Sequence, residues 1–338
     1  TIAAAEFTEP DFSAPPSDGA DFSEIKGQER ARRAMEIAAA GGHNILMVGP
    51  PGTGKSMLAK RLPTIMPRMS FEESVEVTKI HSASGTLDSE SGLVTVRPFR
   101  SPHHTMSAPA LVGGGAIPMP GEISLASGGV LFLDELPEFN KAVTESMRQP
   151  LEDGQVTITR AAGRVTYPSR FMLVCAMNPC RCGYYGSGIR ECTCRREDIK
   201  KYLSKISGPL LDRIDIQVEL PALSFDELTR EEKSESSAQI RARVEDARSL
   251  AVRRMGSASA CNAAMTRSEI REFCAVGDAS LRLLKTAFEK MNLSARGYDR
   301  VLRVARTVAD LAHSESIEPQ HVAEAIHLRS LDKKYFGI

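Results

Sequence analysis

An apolar run at residues 44–48 leads straight into Gly49-Pro50-Pro51-Gly52-Thr53-Gly54-Lys55-Ser56, and a helix-forming run follows to Leu62. Strand, glycine-rich turn and helix, in that order, constrain this chain more than any other feature. The spacing is that of the G-x-x-x-x-G-K-[ST] phosphate loop. Gly49, Gly52 and Gly54 let the backbone bend so that its N–H groups face phosphate oxygens. Lys55 has the reach for the β- and γ-phosphates. The Ser56 hydroxyl suits Mg²⁺, and the helix that follows turns its positive end toward the anion. The nucleotide contacts expected from this stretch are Gly49, Pro50, Pro51, Gly52, Thr53, Gly54, Lys55, Ser56 and Met57, with Gln28 added from the segment ahead of the first helix.

A second apolar run, Val130-Leu131-Phe132-Leu133, ends in Asp134-Glu135. Asp134 is expected to hold Mg²⁺ through water and Glu135 to polarise the attacking water. In phosphoryl transfer the protein mainly positions groups and spreads charge. Two more buried strands are expected at 171–177 and 214–220. Asn178 follows the first of these and is placed to orient the same water. Strands alternating with helices imply a parallel sheet covered on both faces. Arg213, just before the last strand, suits a finger reaching a neighbouring subunit's γ-phosphate, or else a surface network with Asp212 and Asp215. Arg296 opens a later helix and could touch the γ-phosphate from there, with Arg300 as its competitor one turn on.

The 338 residues suggest about two domains. Residues 1–21, rich in Pro, Ala, Asp and Ser, read as a linker tail with little to bury. Residues 22–222 carry the sheet pattern. Residues 223–338 change character: apolar positions repeat at helical spacing (Ile240, Val244, Ala247, Ala251; Leu281, Leu284, Phe288, Met291; Val301, Ala305, Val308, Ala312), which predicts a small helical lid. The formal net charge is zero, so any polyanion must bind a local patch rather than a global field. No apolar run approaches the ~20 residues needed to span a bilayer, so no membrane partner and a cytoplasmic location are expected.

Four of the seven cysteines form Cys180-x-Cys182 and Cys192-x-Cys194. Four thiolates in so short a stretch, with glycines between, suit tetrahedral Zn²⁺; a reduced loop or a disulfide pair are the alternatives. Residues 156–167 alternate on both sides of the small tip Ala161-Ala162-Gly163, which predicts a β-hairpin. Arg160 and Arg164 flank that tip and could track a phosphate backbone. The doublet His103-His104 is expected to pack within a loop, and the Gly- and Pro-rich residues 112–121 to form a protruding loop.

Several stretches together carry a family resemblance: Pro98-Phe99-Arg100-Ser101-Pro102-His103-His104, Pro120-Gly121-Glu122-Ile123-Ser124-Leu125-Ala126, residues 130–139, Asn178-Pro179-Cys180 and residues 207–215. The chain resembles AAA+ ATPases of the magnesium-chelatase-like group over nearly its whole length. That resemblance implies a P-loop AAA+ α/β sheet followed by a helical lid. It implies ATP and Mg²⁺ as cofactors and the site roles given above. Within the group, the chain looks most like members that act as homo-hexameric motors on single-stranded or branched DNA, of helicase or branch-migration type, during natural transformation. It also implies that the Arg160–Arg164 hairpin and the segment near Gly113 line a central pore. Such proteins carry a further domain ahead of the ATPase, so the chain is expected to be a truncated piece. Two other readings remain: a chelatase-like subunit powering metal insertion, and a nucleotide-gated assembly scaffold.

Overall fold

The computed structural model describes residues 12, 19–87, 92–160, 163–229, 234–291 and 293–337. In chain order the strands are β1 Ile45–Val48, β2 Phe99–Arg100, β3 Gly113–Gly114, β4 Met119–Pro120, β5 Val130–Leu133, β6 Gln155–Arg160, β7 Gly163–Pro168, β8 Met172–Met177 and β9 Ile216–Glu219. Five of them form one sheet in the order β2-β5-β8-β1-β9, with every pairing parallel. The expected parallel α/β sheet is therefore present. Its strands are tighter than the apolar runs suggest: β8 begins at Met172, and β9 covers Ile216–Glu219. The sheet also has a fifth strand, β2, that the apolar pattern does not announce. It is two residues long and pairs with Val130 and Leu131 at the sheet edge.

Each central strand is buried on both faces, as a sheet covered by helices requires. Alternate residues sort into two apolar clusters. Ile45, Met47, Val130, Phe132, Val174 and Ala176 face one side, and Leu46, Val48, Leu131, Leu133, Leu173 and Cys175 face the other. The first cluster runs without a break through the helix Glu29–Gly41 into the helices Ser237–Met255 and Ala295–Leu311. The C-terminal helices thus share a core with the sheet. Gly42 closes the helix Glu29–Gly41 in the left-handed conformation, at φ 72°, as a C-cap should.

Most of the predicted tail, residues 1–11 and 13–18, lies outside the described residues. Its last member does not behave as linker. The Asp21 carboxylate accepts from the backbone amides of Ser23 and Ser237, and Arg61 donates to the Asp21 carbonyl. Phe22 beside it is fully buried. These bonds fasten the start of the folded chain to the helix Ser237–Met255.

The protruding loop expected at residues 112–121 is more ordered than its composition implies. A short helix, Ala108–Val112, leads into β3, which pairs antiparallel with β4. Gly113 sits so close to the Ile158 side chain and the Met119 carbonyl that a Cβ would lie 2.6 Å from each. Tyr167 donates to the Pro118 carbonyl at 2.9 Å. The segment is therefore packed against the β6–β7 hairpin.

Candidate nucleotide site and its neighbours

Three parallel strands deliver their carboxyl ends to one place. β1 ends at Val48, in register with Met177 of β8, so Gly49 and Asn178 emerge side by side. β5 pairs with β8 on its other edge and ends one residue before Asp134. Ligand sites in parallel sheets form at such carboxyl ends.

The phosphate loop then turns into the helix Lys55–Ile65, with Gly52 and Gly54 at φ 79° and 87°, where a Cβ would be strained. The Thr53 hydroxyl donates to the Pro50 carbonyl at 3.0 Å. The Lys55 ammonium donates to the Gly49 carbonyl at 2.7 Å, the Pro50 carbonyl at 2.8 Å and the Asn178 side-chain oxygen at 3.1 Å. Burial pulls its pKa down to about 8, against the opposing pull of Asp134 and Glu135. The Ser56 hydroxyl donates to the Asp134 carboxylate at 2.7 Å. Lys55, Ser56, Asp134 and Asn178 are thus tied by hydrogen bonds at the three strand ends. Ser56 and Asp134 together present the hard oxygen donors that Mg²⁺ takes.

Gln28 also reaches this group. Its backbone is left-handed, at φ 54°, and its amide donates to the Thr53 carbonyl at 3.3 Å and the Pro221 carbonyl at 2.7 Å. Met57 is exposed on the helix beside the loop, leaving an apolar surface next to the phosphate cradle.

Glu135 lies at the rim, largely exposed, with its backbone in the left-handed region at φ 52°. A non-glycine residue held there stores local strain. Its carboxylate is 3.5 Å from the His104 ring, which packs edge-on to Phe139 and against His103. His103 stays exposed and bonds Thr105 of its own loop, whereas His104 reaches out of the loop to Phe139 and Glu135. Sequence reasoning missed that the loop places His104 on Glu135. The signal was the position of Ser101-Pro102-His103-His104 just after β2, which is legible only once β2 is known to be a strand.

Arg213 makes no contact with the loop of its own chain among the described residues. Its guanidinium pairs with Glu152 and donates to the carbonyls of Arg148 and Pro209. The alternative network with Asp212 and Asp215 does not form around it. Arg300 takes that place: it is buried and approaches Asp215 at 3.4 Å and Asp212 at 3.7 Å. Asp215 also meets the fully buried His43, whose other nitrogen contacts Thr307 at 2.8 Å. Burial alone would raise the Asp215 carboxyl; His43, then Arg300 and Arg303, hold it below the usual carboxylate range. Arg300 is thereby committed to the packing between β9 and the helix Ala295–Leu311. Arg296, on the first turn of that helix, is exposed.

The four clustered cysteines converge, with sulfur atoms all within 4.8 Å of one another. Cys180 and Cys182 are 3.3 Å apart, and Cys192 lies 3.7 Å and 3.6 Å from them. All are free thiols, which sets aside the disulfide alternative. Tetrahedral Zn²⁺ with Zn–S bonds of ~2.3 Å spaces its sulfurs by ~3.8 Å. The observed separations fit that cage. Burial works against the Cys182 thiolate, yet the amides of Tyr184 and Thr193 and the neighbouring thiols bring its pKa down to about 6.

The hairpin pairs Thr159 with Arg164 and Arg160 with Gly163. Neighbouring residues of a strand point to opposite faces, so Arg160 and Arg164 project from opposite faces of the ribbon. Arg160 lies over Gly114, toward the β3–β4 segment. Ala161 and Ala162, at the tip, lie outside the described residues.

With this geometry, the similarity to known proteins is specific. The sequence profile of the magnesium chelatase subunit ChlI matches residues 21–228, and that of the ChlI C-terminal region matches residues 234–329. The chain is 45% identical over 313 residues to the competence protein ComM of Haemophilus influenzae, spanning 92% of this chain and 60% of that protein. It is 44% identical over 314 residues to the protein YifB of Escherichia coli, spanning 93% and 61%. A weaker likeness, 26% over 174 residues, links it to the magnesium-chelatase 38 kDa subunit of Cereibacter sphaeroides, spanning 47% of this chain and 52% of that one. The chain thus spans about three fifths of the first two relatives' length.

Proposed function

The chain belongs to the magnesium chelatase ChlI family, which is of AAA+ type, and from that premise we propose that it is an ATP-hydrolysing motor that assembles as a homo-hexamer and moves along single-stranded or branched DNA. The observation that supports hydrolysis best is the group at three strand ends: Lys55 on Asn178, and Ser56 on Asp134. In this reading Lys55 and the loop amides from Gly49 to Ser56 bind the phosphates, and Gln28 and Met57 border the nucleotide. Mg²⁺, when bound by Ser56 and Asp134, would neutralise charge on the transferred phosphoryl group. Glu135 takes a proton from the attacking water, and Asn178 fixes that water's orientation. Arg213 acts on the γ-phosphate of a neighbouring subunit, since its own chain keeps it away from the loop. Arg296 approaches from the helical layer. Residues 22–222 would form the ATPase domain and residues 223–338 the lid. The four thiolates suit Zn²⁺.

The DNA reading is supported by the strong likeness to a protein named for competence, against a weaker one to a chelatase subunit. It is also supported by the hairpin, where Arg160 and Arg164 are both exposed next to small residues. An arginine there neutralises a phosphate without reading a base, which suits a motor that ignores sequence.

Replacing both arginines with alanine is expected to weaken single-stranded DNA binding equally for unrelated oligonucleotides. It should also flatten the log–log salt slope by about 0.7 for each phosphate no longer neutralised. Basal ATP turnover should survive, because neither residue borders the phosphate loop. Affinities of the assembled protein, measured with a non-hydrolysable nucleotide at several salt concentrations, decide it. Unchanged binding in the double variant would remove the hairpin as the DNA-tracking element. No binding by the parent would favour the chelatase-like reading.

A further inference from the structure

The cysteine cluster is not a separate appendage. Asn178-Pro179-Cys180 is continuous chain, so the residue that accepts from Lys55 sits two positions before a buried thiol. The turn that follows brings Gly183 back onto the phosphate loop. A Cβ on Gly183 would lie 2.5 Å and 2.9 Å from the Pro51 ring carbons, so the two loops touch with no room for a side chain. Gly183 itself is at φ 88° and is held by a hydrogen bond to the Cys180 carbonyl at 3.0 Å. On the far side, Gly186 meets Lys334, and Tyr185 packs edge-on to Tyr335. The cluster therefore sits between the phosphate loop and the C-terminal segment, and it shares a chain with Asn178.

We propose that Zn²⁺ bound by Cys180, Cys182, Cys192 and Cys194 fixes the Gly183 turn against Pro51 and fixes Asn178 beside Lys55, so that metal occupancy sets nucleotide affinity. The proposal rests on the reading of residues 49–56 as the nucleotide loop. A metal that displaces the protons of the four converging thiols ties them together, and its binding contributes folding energy to the segment that carries the ligands. With the metal bound, the knuckle is a rigid backstop for a loop whose glycines otherwise leave it free to move. Without it, residues 180–194 relax, and Pro51 and Asn178 lose that support. Preorganised phosphate-binding amides are then ordered only at the expense of binding energy.

The test measures zinc and nucleotide affinity together on the intact chain. Elemental analysis should find about one Zn per chain, as a single four-thiolate site requires; near-zero zinc in protein made with ample zinc and reductant overturns the proposal. Zinc is then released with an organomercurial and a chelator, the thiols are restored with reductant, and the fold is checked by circular dichroism. A fluorescent ATP analogue should bind at least about tenfold more weakly to the zinc-free protein, and added Zn²⁺ should restore its affinity. Equal affinity in the two forms overturns the proposal. Gly183→Ala keeps all four ligands and serves if the zinc-free chain unfolds. It should hold its zinc yet bind the analogue more weakly, and normal binding by this zinc-loaded variant also overturns the proposal. If the zinc-loaded parent binds no analogue, the nucleotide reading itself has failed, and that result is distinct from loss of the coupling.

Discussion

Glu135→Gln is expected to bind ATP as tightly as the parent and to hydrolyse it more slowly by roughly 10²–10⁴-fold, the usual worth of a positioned general base. The amide keeps the shape of the carboxylate but cannot take the water's proton. Lys55, Ser56 and Asp134 are untouched, and their mutual bonds do not involve Glu135. The loss should therefore fall on kcat and not on affinity. Single-turnover hydrolysis and analogue binding on the same preparation separate the two. Near-normal turnover would remove Glu135 from its role.

The second large effect is expected at Arg213. Its guanidinium is held by Glu152 and by the Arg148 and Pro209 carbonyls, on a surface that carries a cavity of ≈ 370 Å³ lined by Glu145, Arg148, Gln149 and Glu152. The side chain is mostly buried, so reaching a neighbouring subunit requires it to leave these partners. An arginine finger supplied across an interface is worth roughly 10³–10⁵ in kcat. Arg213→Ala should therefore bind nucleotide normally and lose almost all hydrolysis. Mixing it with Lys55→Ala subunits should restore part of the activity. An interface between the two variants pairs an intact loop with an intact arginine. If no mixing ratio recovers turnover while both variants assemble, Arg213 does not act between subunits.

How much of this was legible in the sequence depended on the range of the forces involved. The phosphate loop and the buried strands around it were readable because each is local: glycine conformations, a lysine at fixed spacing and short apolar runs. The strand Phe99–Arg100 was not, since two residues in a stretch bounded by Pro98 and Pro102 carry no period. With that strand hidden, the placement of His104 on Glu135 is hidden too. The split between Arg296 and Arg300 could not be made one-dimensionally either. Both lie on the first turns of one helix. Only the packing against β9, through Asp215 and His43 some 172 residues apart, assigns Arg300 to the core. The four cysteines gave ligand number and type, but their contact with Pro51 depends on a glycine turn whose direction no spacing encodes.

If ATP hydrolysis at the 49–56 loop drives movement on DNA, DNA must change the rate of that hydrolysis. The decisive measurement is ATP turnover by the assembled protein, with and without single-stranded DNA across a salt series. The expected result is faster turnover with DNA at low salt, for any oligonucleotide sequence, with the stimulation falling steeply as salt rises because phosphate contacts release counterions. Turnover that is the same with and without DNA at every salt concentration, in protein that binds and hydrolyses ATP, would contradict the motor.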